Sequence, residues 1–145
     1  MHHQSFSAVF PIILSDDKQQ ILLHQRQNTG YMDGYWDTAG SGHVDAHETA
    51  LMATVRECQE ELGIGVVTED LEFVHLSHNV DAQKSYYHLY MLVHRYKGTP
   101  TIMESEKMAD LRWFFLDQLP VEMISIRRQA VDNWIAGHRY SEHLE

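Results

Sequence analysis

The chain has 145 residues, with 11 lysines and arginines against 21 aspartates and glutamates, and a formal net charge of −10. That acidity disfavours non-specific binding to duplex nucleic acid, which needs a basic surface to neutralise phosphates. The length fits one domain over 1–145 with a real core. The lone cysteine, Cys58, excludes an internal disulfide framework and favours a reducing, cytoplasmic compartment.

Phe6 to Leu14, FSAVFPIIL, is dense in β-branched and aromatic residues and predicts a strand. Its apolar run is too short to span a membrane, and the MHHQSFS preceding and overlapping it lacks the basic and apolar regions of a signal peptide. Ser15 to Lys18 predicts a turn into a second strand, Gln20 to Arg26. Asn28 to Gly34 reads as a loop, and Tyr35 to Val44 as short extended structure broken by glycines. Helical periodicity runs from Glu48 to Leu62, with Gly63 as the stop. Further strands are predicted over Leu71 to Asn79, Tyr86 to Tyr96 and Leu111 to Leu116, and a C-terminal helix over Met123 to Tyr140. Strands on both sides of a central helix, closed by a terminal helix, predict a mixed α/β sandwich.

On the central helix, Leu51, Val55, Cys58 and Leu62 share one face at spacings of four, three and four, which predicts the core side. Glu57, Glu60 and Glu61 fall together on the far side, where the small Ala53, one turn earlier, would leave access open. Such clustering destabilises a helix by a few tenths of a kcal/mol per like-charged pair, roughly, and Arg56 is the one cation among them. Three carboxylates offer the oxygen donors that suit Mg²⁺ or Mn²⁺. Divalent cations would also let an acidic protein hold a polyphosphate.

The wider spacing is more specific. Gly42, five residues, Glu48, seven residues, then Arg56-Glu57-Cys58-Gln59-Glu60-Glu61-Leu62-Gly63-Ile64 follow G-x5-E-x7-R-E-U-x-E-E-x-G-U, with U a bulky apolar residue. Seven fixed identities would arise by chance on the order of once in a million chains of this length. The sequence over 42–64 therefore resembles the Nudix box. Cys58 departs softly from the pattern, acting as a small hydrophobe at an apolar position. The lead-in NTGYMDGYWDTAGSGHVDAHE and the closing ESEKMADLRWFFLDQLP are similar to MutT-like bacterial members.

The resemblance implies a Nudix αβα sandwich with a mixed β-sheet, its box helix carrying metal-binding glutamates. It implies Mg²⁺- or Mn²⁺-dependent hydrolysis of a phosphoanhydride in a nucleoside diphosphate derivative. By resemblance, Glu57 and Glu61 are the central metal ligands, Glu60 joins the shell, and the Ser41 carbonyl completes it. Gly42, Glu48, Arg56 and Gly63 are structural, with Glu48 and Arg56 paired. Glu57 is the expected general base; of the later loop carboxylates Glu104 and Glu106 in MESEK, Glu106 is the expected loop contribution. Arg26 and Glu104 are the substrate-side candidates, Arg26 as a bidentate phosphate donor. Trp36, Trp113 and Phe114 are assigned to the core.

The expected substrate is a nucleoside triphosphate, ordinary or oxidised, cleaved to monophosphate and pyrophosphate. A hydrolase of an ADP-sugar or other nucleoside diphosphate derivative, and a non-catalytic nucleotide-binding module, stand as alternatives. Isoprenoid diphosphate isomerase chemistry is disfavoured, because it needs a catalytic cysteine and Cys58 lies on the core face. A small-molecule nucleotide is the expected partner, with no duplex nucleic acid or membrane; a homodimer fits the resemblance but has no mark in the sequence.

Overall fold

The computed structural model describes residues 2–145. Its strands are β1 (Phe6–Ile13), β2 (Gln20–Arg26), β3 (Trp36–Thr38), β4 (Gly42–His43), β5 (Leu71–Val80), β6 (Ser85–Val93), β7 (Met108–Phe115) and β8 (Tyr140–Leu144). The helices are α1 (Ala50–Leu62) and α2 (Ser125–Ile135). Five strands form one sheet in the order β4-β1-β6-β5-β8, and three form a second in the order β3-β2-β7. The first is mixed: β1 runs parallel to β6, and β5 parallel to β8, while β1–β4 and β5–β6 are antiparallel.

Strand β1 is buried on both faces, which explains its continuous apolar run. Ala8, Phe10 and Ile12 enter one core with Ile21 and Leu23 of β2 and Ala130 and Val131 of α2. Ile13 and Leu22 enter the other core with Cys58 and Leu62 of α1. The two helices therefore cover opposite sides of the strands, giving the expected αβα sandwich.

Several boundaries differ from the sequence expectations. Helix α1 begins at Ala50 rather than Glu48, because Thr49 is its N-cap: the Thr49 hydroxyl accepts the Met52 N–H at 3.2 Å. Glu48 is thereby left outside the helix. The C-terminal helix stops at Ile135 rather than near Tyr140. Gly137 then takes φ +87°, and the chain returns as β8 on the edge of the larger sheet, an element the sequence did not predict. Strand β6 ends at Val93, short of Tyr96, and β7 begins at Met108, before Leu111.

Two side-chain placements also need correction. Trp36 is core, as expected, but Trp113 is 38% exposed. Side chains alternate along β7, so Phe114 turns inward against Trp36 while Trp113 and Phe115 face out. Ala53 was expected on an open face of α1 and is instead fully buried. Leu51 and Val55 are only partly buried, so the inward face of α1 is rotated toward the Ala53–Glu57–Glu61 stripe. The carboxylates of that stripe look into the protein.

Candidate active site

A cleft of about 950 Å³ is bounded by both sheets, α1, α2 and the 104–108 turn. That is near the upper end of the volume range that encloses a small ligand, roughly 300–1,000 Å³. Glu57, Glu60 and Glu61 of α1 line it, together with Ser41, Gly42, Arg26 and Glu104.

At its α1 wall, Arg56 organises the box. Its Nε and Nη2 donate to the two Glu48 oxygens at 2.7 and 2.9 Å, and Nη2 also donates to the His43 carbonyl at 3.0 Å. Nη1 donates to Glu57 Oε1 at 2.7 Å and to Glu60 Oε2 at 3.2 Å. The bonds from Arg56, then the Asp45 N–H, pull the Glu48 carboxyl down to about 2. Glu48 and Arg56 thus tie the loop to the helix.

Gly42 explains how loop and helix come so close. A Cβ added there would lie 2.2 Å from Glu57 Cδ and Oε1. Gly42→Ala must therefore push Glu57 from its position, although Gly42 has no left-handed backbone to lose. We expect kcat to fall by at least about tenfold, given how steeply catalysis depends on group placement. Steady-state kinetics, alongside a thermal melt showing a folded variant, checks this.

Glu61 is largely enclosed, and burial, reinforced by Glu57 and Glu104, pushes its carboxyl up to about 9. Burial also raises Glu57, partly offset by Arg56, with Glu60 and Glu104 adding to the rise. Like charges in a low-dielectric cleft resist ionisation unless a cation compensates them. This chemistry fits a hard divalent ion: oxygen donors only, Glu57 and Glu61 partly buried, and Glu61 without an ion pair among the described residues. Among the described residues, however, no group of three such side chains is already drawn into ligating geometry. Arg56 holds Glu57 to one side, so binding would require that carboxylate to turn.

The other predicted residues divide. Glu104 lines the cleft and is close enough to raise both Glu57 and Glu61. Glu106 does not line it. The turn in which the Lys107 and Met108 N–H groups donate to the Glu104 carbonyl leaves Glu106 exposed on the outside, where its own carbonyl accepts from Asn28. Arg26 reaches the cleft wall as expected, its Nε donating to the Tyr31 carbonyl at 2.9 Å and Nη1 to Asp37 Oδ2 at 3.4 Å. Ser41 borders the cleft and Gly63 caps α1, both where the sequence placed them.

Sequence reasoning missed a buried polar cluster that adjoins Arg26 through Asp37. Arg127 of α2 donates through Nε to Asp37 Oδ1 at 2.5 Å and through Nη1 to the Tyr90 hydroxyl at 2.9 Å. Its guanidinium lies 3.6 Å above the Phe10 ring centroid. Burial acts to raise the Asp37 carboxyl, but the Arg127 charge, with His24 and Arg26, holds it below the usual carboxylate value. A signal existed: Arg127 shares the i, i+3, i+4 stripe of α2 with Ala130 and Val131, both fully buried.

His88 belongs to the same cluster, and burial, then Arg127, hold its ring down to about 3. In the unfolded chain it would protonate near pH 6.5. The folded state therefore loses stability as pH falls from about 6.5 toward 3, because the unfolded state takes up the proton first. Between pH 7 and 5 this group should remove on the order of 2 kcal/mol. Urea unfolding of wild type and His88→Gln at both pH values checks it, with the variant lacking that increment.

The NUDIX domain family model matches residues 5–134. The chain belongs to the NUDIX family. Hydrolases of this family cleave pyrophosphate bonds in nucleotide derivatives and generally use divalent metals. A MutT NUDIX hydrolase from Burkholderia pseudomallei is similar in structure, with a TM-score of 0.79 and 28% identity, covering 90% of this chain and 98% of that one. An uncharacterised Nudix hydrolase of Listeria monocytogenes is 26% identical over 113 residues, 77% of this chain and 64% of its own length. The 8-oxo-dGTP diphosphatase of Proteus vulgaris is 35% identical over 54 residues, 37% of this chain and 47% of its own. The chain thus spans less than two thirds of the length of these curated relatives. Membership also accounts for the 42–64 motif and its Glu48–Arg56 pair.

Proposed function

We propose that this NUDIX protein is a Mg²⁺-dependent hydrolase that cleaves a nucleoside triphosphate, ordinary or oxidised, to the monophosphate and pyrophosphate. The observation that carries this reading is the convergence of Glu57, Glu61 and Glu104 on one cleft, with Glu61 pushed up to about 9 by burial and like charge. A site that raises its own carboxylates is built for a cation. Glu57, Glu60 and Glu61, with the Ser41 carbonyl, would hold Mg²⁺ or Mn²⁺. When bound, such an ion neutralises phosphate oxygens and lowers the pKa of water.

The chain's own groups supply the rest. Arg26 is fixed at the cleft wall by Tyr31 and Asp37 and presents its remaining N–H groups to a phosphate. Water attacks phosphorus, the phosphoanhydride P–O bond breaks, and the water proton passes to a carboxylate. Glu57 is the preferred acceptor of that proton, and of the two loop carboxylates Glu104, which lines the cleft, is preferred to Glu106. Glu104→Gln should lower kcat by about 100-fold or more, the usual span for a general base. Glu106→Gln should stay within about twofold, as an exposed surface change does. Equal effects of the two would contradict the assignment.

Two rivals are weakened by particular residues. Cys58 is fully buried, and burial with Glu61 and Glu57 pushes its thiol up to about 12, which deprives isomerase chemistry of its catalytic cysteine. A purely binding module has no use for an intact carboxylate set. No described helix is long and apolar enough to cross a membrane, and a cytoplasmic location is part of the same proposal. Separate assay of pyrophosphate, orthophosphate and monophosphate from a nucleotide panel with Mg²⁺ tests the reading. Pyrophosphate from a triphosphate supports it; turnover of ADP-ribose or a dinucleotide alone would replace the substrate.

A further inference from the structure

The cleft wall formed by β5 and β6 holds two polar side chains whose hydrogen-bonding roles the surrounding structure fixes. Asn79 of β5 is 7% exposed and His88 of β6 sits beside it, and both line the cleft. The Asn79 amide donates from Nδ2 to the Ser77 hydroxyl at 3.0 Å and to His88 Nδ1 at 3.1 Å. Arg127 Nη1 approaches the same His88 nitrogen at 3.3 Å.

An amide nitrogen and a guanidinium are donors only, so His88 Nδ1 must accept. The ring proton is then on Nε2, which has no hydrogen-bond partner among the described residues. Burial and the Arg127 charge keep the ring neutral, so it does not become a second donor at Nδ1. The Ser77 hydroxyl can bond either end of the Asn79 amide, but rotating the amide would place its oxygen against the His88 lone pair. Its orientation is therefore set, and Oδ1 is a buried acceptor without a partner. An unsatisfied buried acceptor bears the full cost of losing its water unless a donor fills it.

Phe10 packs on the His88 ring at a centroid distance of 4.7 Å, and Tyr86, also in the cleft wall, stands 5.5 Å from it. The result is one fixed N–H donor, one fixed acceptor and a neighbouring aromatic ring on a single wall of the cleft.

We propose that His88 and Asn79 form a base-reading subsite, in which His88 Nε2–H donates to, and Asn79 Oδ1 accepts from, one edge of a nucleobase beside Tyr86. This rests on the reading of the cleft as a nucleoside triphosphate site. The subsite selects a base that offers an acceptor next to an N–H donor in one order, and it rejects the reverse order. It acts on the base alone, so a triphosphate lacking a base escapes it.

The test compares kcat/KM for triphosphates of the four bases and for ribose 5-triphosphate, in wild type, His88→Phe and Asn79→Asp. Thermal melts accompany each variant. The wild type should favour one base by at least about tenfold, the value of one well-placed hydrogen bond. His88→Phe should collapse that preference while leaving ribose 5-triphosphate within about threefold of wild type. Asn79→Asp removes the Nδ2 donor that orients the Asn79 oxygen, adds a negative charge facing His88 and Arg127, and should change the base ratios. An equal loss on all five substrates would mean a structural part only and would overturn the subsite, as would base ratios unchanged in both variants. Turnover of no triphosphate by folded, metal-supplied wild type would overturn the underlying reading of the cleft as well.

Discussion

Glu57→Gln is expected to lower kcat by two to four orders of magnitude, about the effect of removing a catalytic acid–base group, while the protein stays folded. The substitution keeps the size of the side chain but removes the negative charge. Three consequences meet at that atom pair. Arg56 loses the carboxylate that accepts its Nη1–H at 2.7 Å, although the Glu48 fork still holds the guanidinium. The metal loses a charged ligand, and a water loses a proton acceptor. Stability should change little, because Glu57 is held above its ordinary pKa by burial and like charge and gains by being neutral. Kinetics with saturating Mg²⁺, with urea unfolding alongside, separates the two effects. A folded variant with near-wild-type kcat would remove Glu57 from the site.

Arg127→Met should act in the opposite way, on stability first. The side chain is 4% exposed and joins Asp37, Tyr90, His88 and the Phe10 face. Removing it leaves Asp37 buried with only Arg26, at 3.4 Å, as a cationic partner. Breaking a buried pair in this manner costs roughly 3–5 kcal/mol, because one charge is stranded. The double variant Arg127→Met/Asp37→Leu should recover part of that loss, since an apolar replacement of both partners is often neutral. Denaturant unfolding of the two single variants and the double variant measures the coupling. Additive losses would show that the pair is not the source of the effect.

The site was legible in the sequence where its parts lie on one element. Glu57, Glu60 and Glu61 occupy a single helix, so spacing alone placed them together, and Gly42 and Glu48 entered through a fixed interval to that helix. What the interval could not give was orientation. Thr49 caps α1 two residues later than expected, and the Ala53–Glu57–Glu61 stripe turns inward. The choice between Glu104 and Glu106 depended on a turn in which the Glu104 carbonyl accepts two N–H groups. Two acidic residues in MESEK gave no periodicity to separate them.

The buried polar cluster could not be read in this way. Asp37, Asn79, His88 and Arg127 come from β3, β5, β6 and α2, and Asp37 and Arg127 are 90 residues apart. Their meeting is a property of strand order. Strand β8 was hidden for a related reason: YSEHL has little β-signal of its own and is held by parallel pairing with β5, from Leu76↔Tyr140 to Val80↔Leu144.

On the proposed function, the α1 glutamates hold a divalent cation. Electron paramagnetic resonance of Mn²⁺ titrated into the wild-type protein and into Glu57→Gln/Glu61→Gln tests it directly, without requiring the substrate. Mn²⁺ should bind the wild type and be displaced by Mg²⁺, and that binding should be lost in the folded double variant. Equal Mn²⁺ binding by the two proteins would contradict it and move the metal away from these carboxylates.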